Sequence, residues 1–179
     1  MRSELDKLLK KNVDENEIEL YSLLGLVTIR FAKLESKLTE LLSTLIHPDD
    51  SLLSATLTED IFLFKTIELI EKVGRIRILN DKKIKEIVSS ANSLRKERNY
   101  FIHGDWEVKS KINGSVKAVC YRPKITFKQN ETTKLWKRGF TSKIYTSDTL
   151  RKTAIVVEAL TNNIKKLIDE IKDDPEFLD

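Results

Sequence analysis

From Leu20 the apolar positions run through Leu24, Val27, Phe31, Leu34, Leu38 and Leu41 to Leu45 in alternating steps of four and three. That spacing keeps one stripe of a helix facing a partner, and it predicts a long helix from about Asn16 to Ile46. His47-Pro48-Asp49-Asp50 then reads as a helix stop and a turn. Leu57 to Gly74 is apolar nearly all round, with Ile61, Phe62, Leu63, Phe64, Ile67, Leu69, Ile70 and Val73, the pattern of a buried central helix. Asn80 or Asp81 is placed to cap a third helix with Ile84, Ile87, Val88, Ala91, Leu94, Phe101 and Ile102 on its apolar side. Asp148 is placed to cap a last one, striped by Leu150, Ala154, Val157, Leu160, Ile164, Leu167 and Ile171 and stopped by Asp173-Asp174-Pro175.

Between the third and last helices the period changes to two. Trp106, Val108, Ser110 and Ile112 lead into Asn113-Gly114, a pair suited to a two-residue hairpin turn because both positions tolerate positive φ. A regular register from that turn pairs Ile112 with Ser115, Val108 with Val119 and Trp106 with Tyr121. Ile125 to Lys128 and Lys134 to Thr146 suggest a second hairpin around Gln129-Asn130-Glu131. The expected fold is mainly α: an antiparallel bundle of four to five helices in one domain, 1–179, with a β-hairpin insertion over 105–147 before the last helix.

The 179 residues hold 32 Lys and Arg against 28 Asp and Glu, a formal charge of +4. The excess is local, because residues 104–147 carry ten basic side chains against three acidic ones. Lys109, Lys111, Lys117, Arg122, Lys124, Lys137 and Arg138 of this stretch are the expected polyanion contacts, on RNA in particular. A lysine-rich edge that discourages strand aggregation has the same composition. The five glycines are scattered, which excludes a Gly-rich phosphate loop, and one Cys with two distant His gives no zinc spacing, so neither a metal nor a cofactor is expected. The apolar run Leu20–Ile29 is too short to cross a bilayer and no membrane association is expected. Acidic residues interrupt the N-terminus before any signal-peptide core, and Cys120 is alone, so the expected compartment is the reducing cytoplasm.

One segment points to chemistry: Arg98-Asn99-Tyr100-Phe101-Ile102-His103-Gly104. Projected on the third helix, Arg98 falls inside the apolar arc, where a guanidinium must be paired because an isolated buried charge costs several kcal/mol. Asn99 and His103 share the flank beside it, four residues apart, and Gly104 ends the helix. These residues resemble the R-x4-H motif of the HEPN superfamily, a group of helical bundles, with Arg98, Asn99 and His103 matching in place. The resemblance covers about Asn16 to Gly104 and the last helix, and excludes the β insertion. It implies a metal-independent endoribonuclease whose homodimer builds one composite site, of the kind found in toxins and antiviral defence and restrained by an antitoxin or another regulatory protein. Where members modified by a partner nucleotidyltransferase carry Tyr two residues after the His, this chain has Asp105.

The chemistry stands on its own terms. Cutting RNA without a metal requires a base for the ribose 2′-OH, a cation for the charge growing on phosphorus, and an acid for the 5′ leaving oxygen. His103 suits the base or acid and Arg98 the phosphate. One chain offers a single suitable His, and two chains offer the two that the reaction uses. The alternative is a non-catalytic dimerisation or protein- or RNA-binding module, in which Arg98 holds carboxylates or helix-end carbonyls and His103 caps a helix. Trp106, Tyr121, Trp136, Phe140 and Tyr145 lie on the strands, where packing is the default role and base stacking the exception.

Overall fold

In the computed structural model, residues 15–47, 51–77, 81–112, 115–129 and 134–173 are described. They form helices α1 (Glu15–Ile46), α2 (Ser51–Thr58), α3 (Leu63–Arg77) and α4 (Asp81–His103), strands β1 (Asp105–Ile112), β2 (Ser115–Gln129) and β3 (Lys134–Thr146), and helix α5 (Ser147–Asp173). The chain is thus mainly helical with a small antiparallel sheet ordered β1-β2-β3. None of these helices is long and apolar enough to cross a membrane. Contacts gather the described residues into two compact units, one of 15–27 and Asn99–Lys152, the other within Thr28–Arg98 and 153–173.

The α1 stripe is buried from Leu20 to Leu45, with one exception: Leu23 is buried in place of Leu24. A straight helix at about 3.6 residues per turn drifts off a strict heptad, which moves the apolar seam by one residue near its N-terminal end. Every expected apolar position of α5 is buried. The segment from Leu57 to Gly74 departs from the expectation. It is not one buried helix, since α2 ends at Thr58, Asp60 sits at φ 59°, and α3 begins at Leu63. A left-handed residue cannot continue a right-handed helix, and Asp tolerates that conformation better than bulkier residues. Phe62, Phe64 and Leu57 are exposed as a result, and α3 buries Thr66, Ile67, Ile70 and Gly74. Gly74 packs closely there, since a Cβ would stand 3.0 Å from the Ile84 side chain.

The cap of α5 is Thr146 rather than Asp148. Thr149 N–H donates to Thr146 Oγ1 at 3.2 Å and Thr146 N–H donates to Thr149 Oγ1 at 2.7 Å, a reciprocal box across the first turn. Ser147 is buried, and its hydroxyl accepts the Val116 N–H at 3.2 Å. Asn80 lies outside the described residues.

In the sheet, Ile112 pairs with Ser115 as expected, but the register slips between Val108 and Ser110. Val108 therefore faces Ala118 and Trp106 faces Cys120, in place of Val119 and Tyr121. Lys109 is the extra residue of a bulge, which turns the earlier half of β1 by one position. The turn Asn113-Gly114 lies outside the described residues, as does the expected loop beyond Gln129. The two expected hairpins share one long strand: β2 pairs with β3 without a break from Lys117–Thr146 to Gln129–Lys134, straight through Pro123. Pro123 is tolerated because β1 pairs only as far as Tyr121, leaving that stretch of β2 with one open edge among the described residues.

The candidate site at the end of α4

Arg98 finds its partner in Glu35 of α1. Its Nε donates to Oε1 at 2.6 Å and its Nη2 to Oε2 at 3.3 Å, a forked pair with side chains 26% and 30% exposed. The apolar arc of the helix demands a partner for Arg98 but does not identify it. Glu35 stands directly after Leu34 of the α1 stripe, so an acidic residue bordering the seam is the signal that could have found it. Among the described residues this fork engages two of the five guanidinium donors.

Asn99 and His103 lie on the last turn and a half of α4, Asn99 half-buried and His103 exposed. Phe101 is the residue this turn buries, against Trp106 at 5.7 Å and Tyr145 at 5.4 Å between ring centroids. Trp106 and Tyr145 close the triangle at 5.1 Å. Ile102, expected on the apolar side, is exposed instead, because the aromatic cluster fixes which face of the final turn points inward.

Gly104 follows the last residue of α4 at a point where no side chain fits. Its N–H donates to the Tyr100 carbonyl at 3.0 Å, while a Cβ here would stand 2.1 Å from Cys120 Sγ and 2.4 Å from that carbonyl oxygen. The Cys120 thiol is buried and donates to the same carbonyl at 3.4 Å, and burial pushes it up to about 11. Cys120 is thus a packed thiol, not a nucleophile. His103 is carried at the point where the helix abuts β2.

The sheet sorts the expected RNA contacts. Arg122 and Lys143 hold their cations over the Tyr100 ring, 5.4 and 5.6 Å from its centroid. Tyr100, inside the motif, was not expected to gather them; an aromatic residue beside a basic strand is the available signal. Lys109 is paired with Glu107 at 2.6 Å, and that hydrogen bond holds the Glu107 carboxyl below its usual range and raises the ammonium. Lys117 is half-buried, and the side chain of Lys111 lies outside the described residues. Lys124, Lys137 and Arg138 are exposed. Of the strand aromatics, Trp106 and Tyr145 pack, Tyr121 donates to Glu107 at 3.3 Å, Phe140 is exposed, and the side chain of Trp136 lies outside the described residues.

Among the described residues no three His, Cys, Asp or Glu side chains gather as metal ligands. No protein-family model, no curated protein and no solved structure matches this chain.

Proposed function

We propose that the chain is a metal-independent endoribonuclease of HEPN type that acts as a homodimer, with His103 as general acid or base, Arg98 on the scissile phosphate and Asn99 orienting them. The observation that carries this reading is the exposed His103 at the end of α4, one turn after Asn99 and directly before a strongly basic sheet. An exposed imidazole meets a large substrate, whereas a packed one serves the core. The Arg98 donors outside the fork suit a phosphate oxygen, with Glu35 fixing the guanidinium in place rather than consuming it. Two copies supply one His as base and one as acid, which is the reason a dimer is part of the proposal. A toxin or antiviral-defence role belongs to the same reading.

Purified protein should cut RNA in EDTA, and His103→Ala should lower the rate by at least about a hundredfold, the usual worth of acid–base catalysis. The Arg98–Glu35 pair favours a second reading, a non-catalytic binding or dimerisation module in which Arg98 is architectural. That module cuts nothing, is indifferent to His103→Ala, and melts at a much lower temperature as Arg98→Ala.

A further inference from the structure

Beyond Tyr121 the sheet narrows to a ribbon of two strands, β2 paired with β3 from Arg122–Thr141 to Gln129–Lys134. Residues directly paired, and residues two apart along a strand, share a face. One face of this ribbon carries Arg122, Lys124, Thr126 and Lys137. The other carries Pro123 opposite Phe140, Ile125 opposite Arg138, and Phe127 on the following rung, with Ile144 further along. These apolar side chains are not core: Phe140 is 75% exposed, Ile125 63%, Ile144 56% and Phe127 43%. A run of this kind on one face of a two-stranded ribbon marks an interaction surface.

Charge decides what it receives. Residues 122–129 and 134–141 hold six basic side chains and no acidic one. Four of these, Arg122, Lys124, Lys128 and Lys137, register on the opposite face and two, Arg138 and Lys134, on the apolar one, so the ribbon draws a polyanion through its overall field, with Arg138 as the cation beside the rings. The geometry is also suited to one. Phe127 and Phe140 lie two rungs apart, about 13 Å along the strand, with Arg138 on the rung between them. At that spacing the two rings suit bases two nucleotides apart on an extended strand, with Arg138 at the backbone between them, and offer nothing to a duplex whose bases are already stacked.

We infer that this apolar face of the ribbon is a stacking platform for single-stranded RNA, with Phe140 and Phe127 taking bases and Arg138 a phosphate. The inference rests on the proposed nuclease function and names its substrate as unpaired RNA.

The test is anisotropy titration of a labelled single-stranded oligoribonucleotide with the full-length His103→Ala protein, which binds without cutting, against a blunt duplex of equal length. Phe140→Ala and Phe127→Ala should each weaken single-strand binding by about tenfold with no change in melting temperature. Arg138→Ala should lower the salt slope of binding by about one. The duplex should bind more weakly and be indifferent to both Phe substitutions. Equal binding of duplex and single strand, or single-strand binding unmoved by the Phe substitutions, would overturn the platform. So would tighter binding of an acidic polypeptide, or a concentration-dependent dimer lost in the Phe variants. Wild-type protein that cuts RNA while its Phe variants bind and cut unchanged keeps the nuclease and loses the platform. Phe-dependent binding by a wild-type protein that cuts nothing keeps the platform and loses the nuclease.

Discussion

Gly104 and Cys120 meet where α4 ends, and no side chain fits between them: a Cβ on residue 104 would lie 2.1 Å from the sulfur. Gly104→Ala should cost about 1–3 kcal/mol in urea unfolding, in the range of overpacked sites, and should lower RNA cutting with it, because His103 is the preceding residue. Cys120→Ala in the same chain should recover part of the loss but not all, since the Tyr100 carbonyl also crowds the position. The thiol has its own signature. Burial raises it from an ordinary 9.0 to about 11, so the folded chain keeps a proton that the unfolded chain gives up first. Stability from this group is therefore complete below pH 9 and is lost as pH climbs towards 11. Unfolding midpoints of wild type and Cys120→Ser should run parallel below that window and converge or cross inside it. Parallel curves throughout would contradict the assignment. Arg98 and Glu35 make the second test at this scale. A double-mutant cycle on Arg98→Ala and Glu35→Gln should give a coupling of about 1–3 kcal/mol, the worth of hydrogen bonds to charged groups. Under the nuclease reading, Glu35→Gln keeps measurable cutting, because it loosens the guanidinium without removing it.

Among the elements, the long stripes were the most legible in the sequence. The steps of four and three from Leu20 to Leu45 and the α5 stripe from Leu150 to Ile171 each describe a buried face whose period alone identifies it. Where composition stood in for period, the reading failed. Leu57 to Gly74 looked like a buried helix because it is apolar all round, but Asp60 breaks it and much of that surface faces solvent. The bulge at Lys109 is set by tertiary geometry, the fit of Trp106 against Phe101 and Tyr145, whereas the choice of Thr146 over Asp148 as the α5 cap is local, a reciprocal threonine pair three residues apart. The bulge leaves no mark in local pattern, and the Thr146-x-x-Thr149 spacing is the signal for the cap. The cap makes a clear prediction. Thr146→Ala should lower the melting temperature by an amount equivalent to about 1 kcal/mol, whereas Asp148→Ala should be close to silent.

For the whole molecule, the sequence located the excess charge in residues 104–147, and the strands then divide it. Arg122 and Lys143 are bound up with Tyr100 and Lys109 with Glu107, which leaves Lys124, Lys137 and Arg138 exposed on the two-stranded ribbon. This division was not legible in composition, because which cations are spent depends on which face of a strand each occupies. Of the motif, the sequence indicated that Arg98 needs a partner and that Asn99 and His103 share a flank, but Glu35 emerged only from the fold. The proposed function comes down to one reaction, attack of a ribose 2′-OH on the neighbouring phosphate. It is tested most directly by analysing the ends of RNA incubated with the purified chain in EDTA, beside the His103→Ala variant. Attack by the ribose 2′-OH predicts fragments ending in 2′,3′-cyclic phosphate and 5′-hydroxyl, formed by the wild type and missing with the variant. Uncut RNA, fragments with 3′-hydroxyl and 5′-phosphate ends, or cyclic ends that persist in the variant would contradict it.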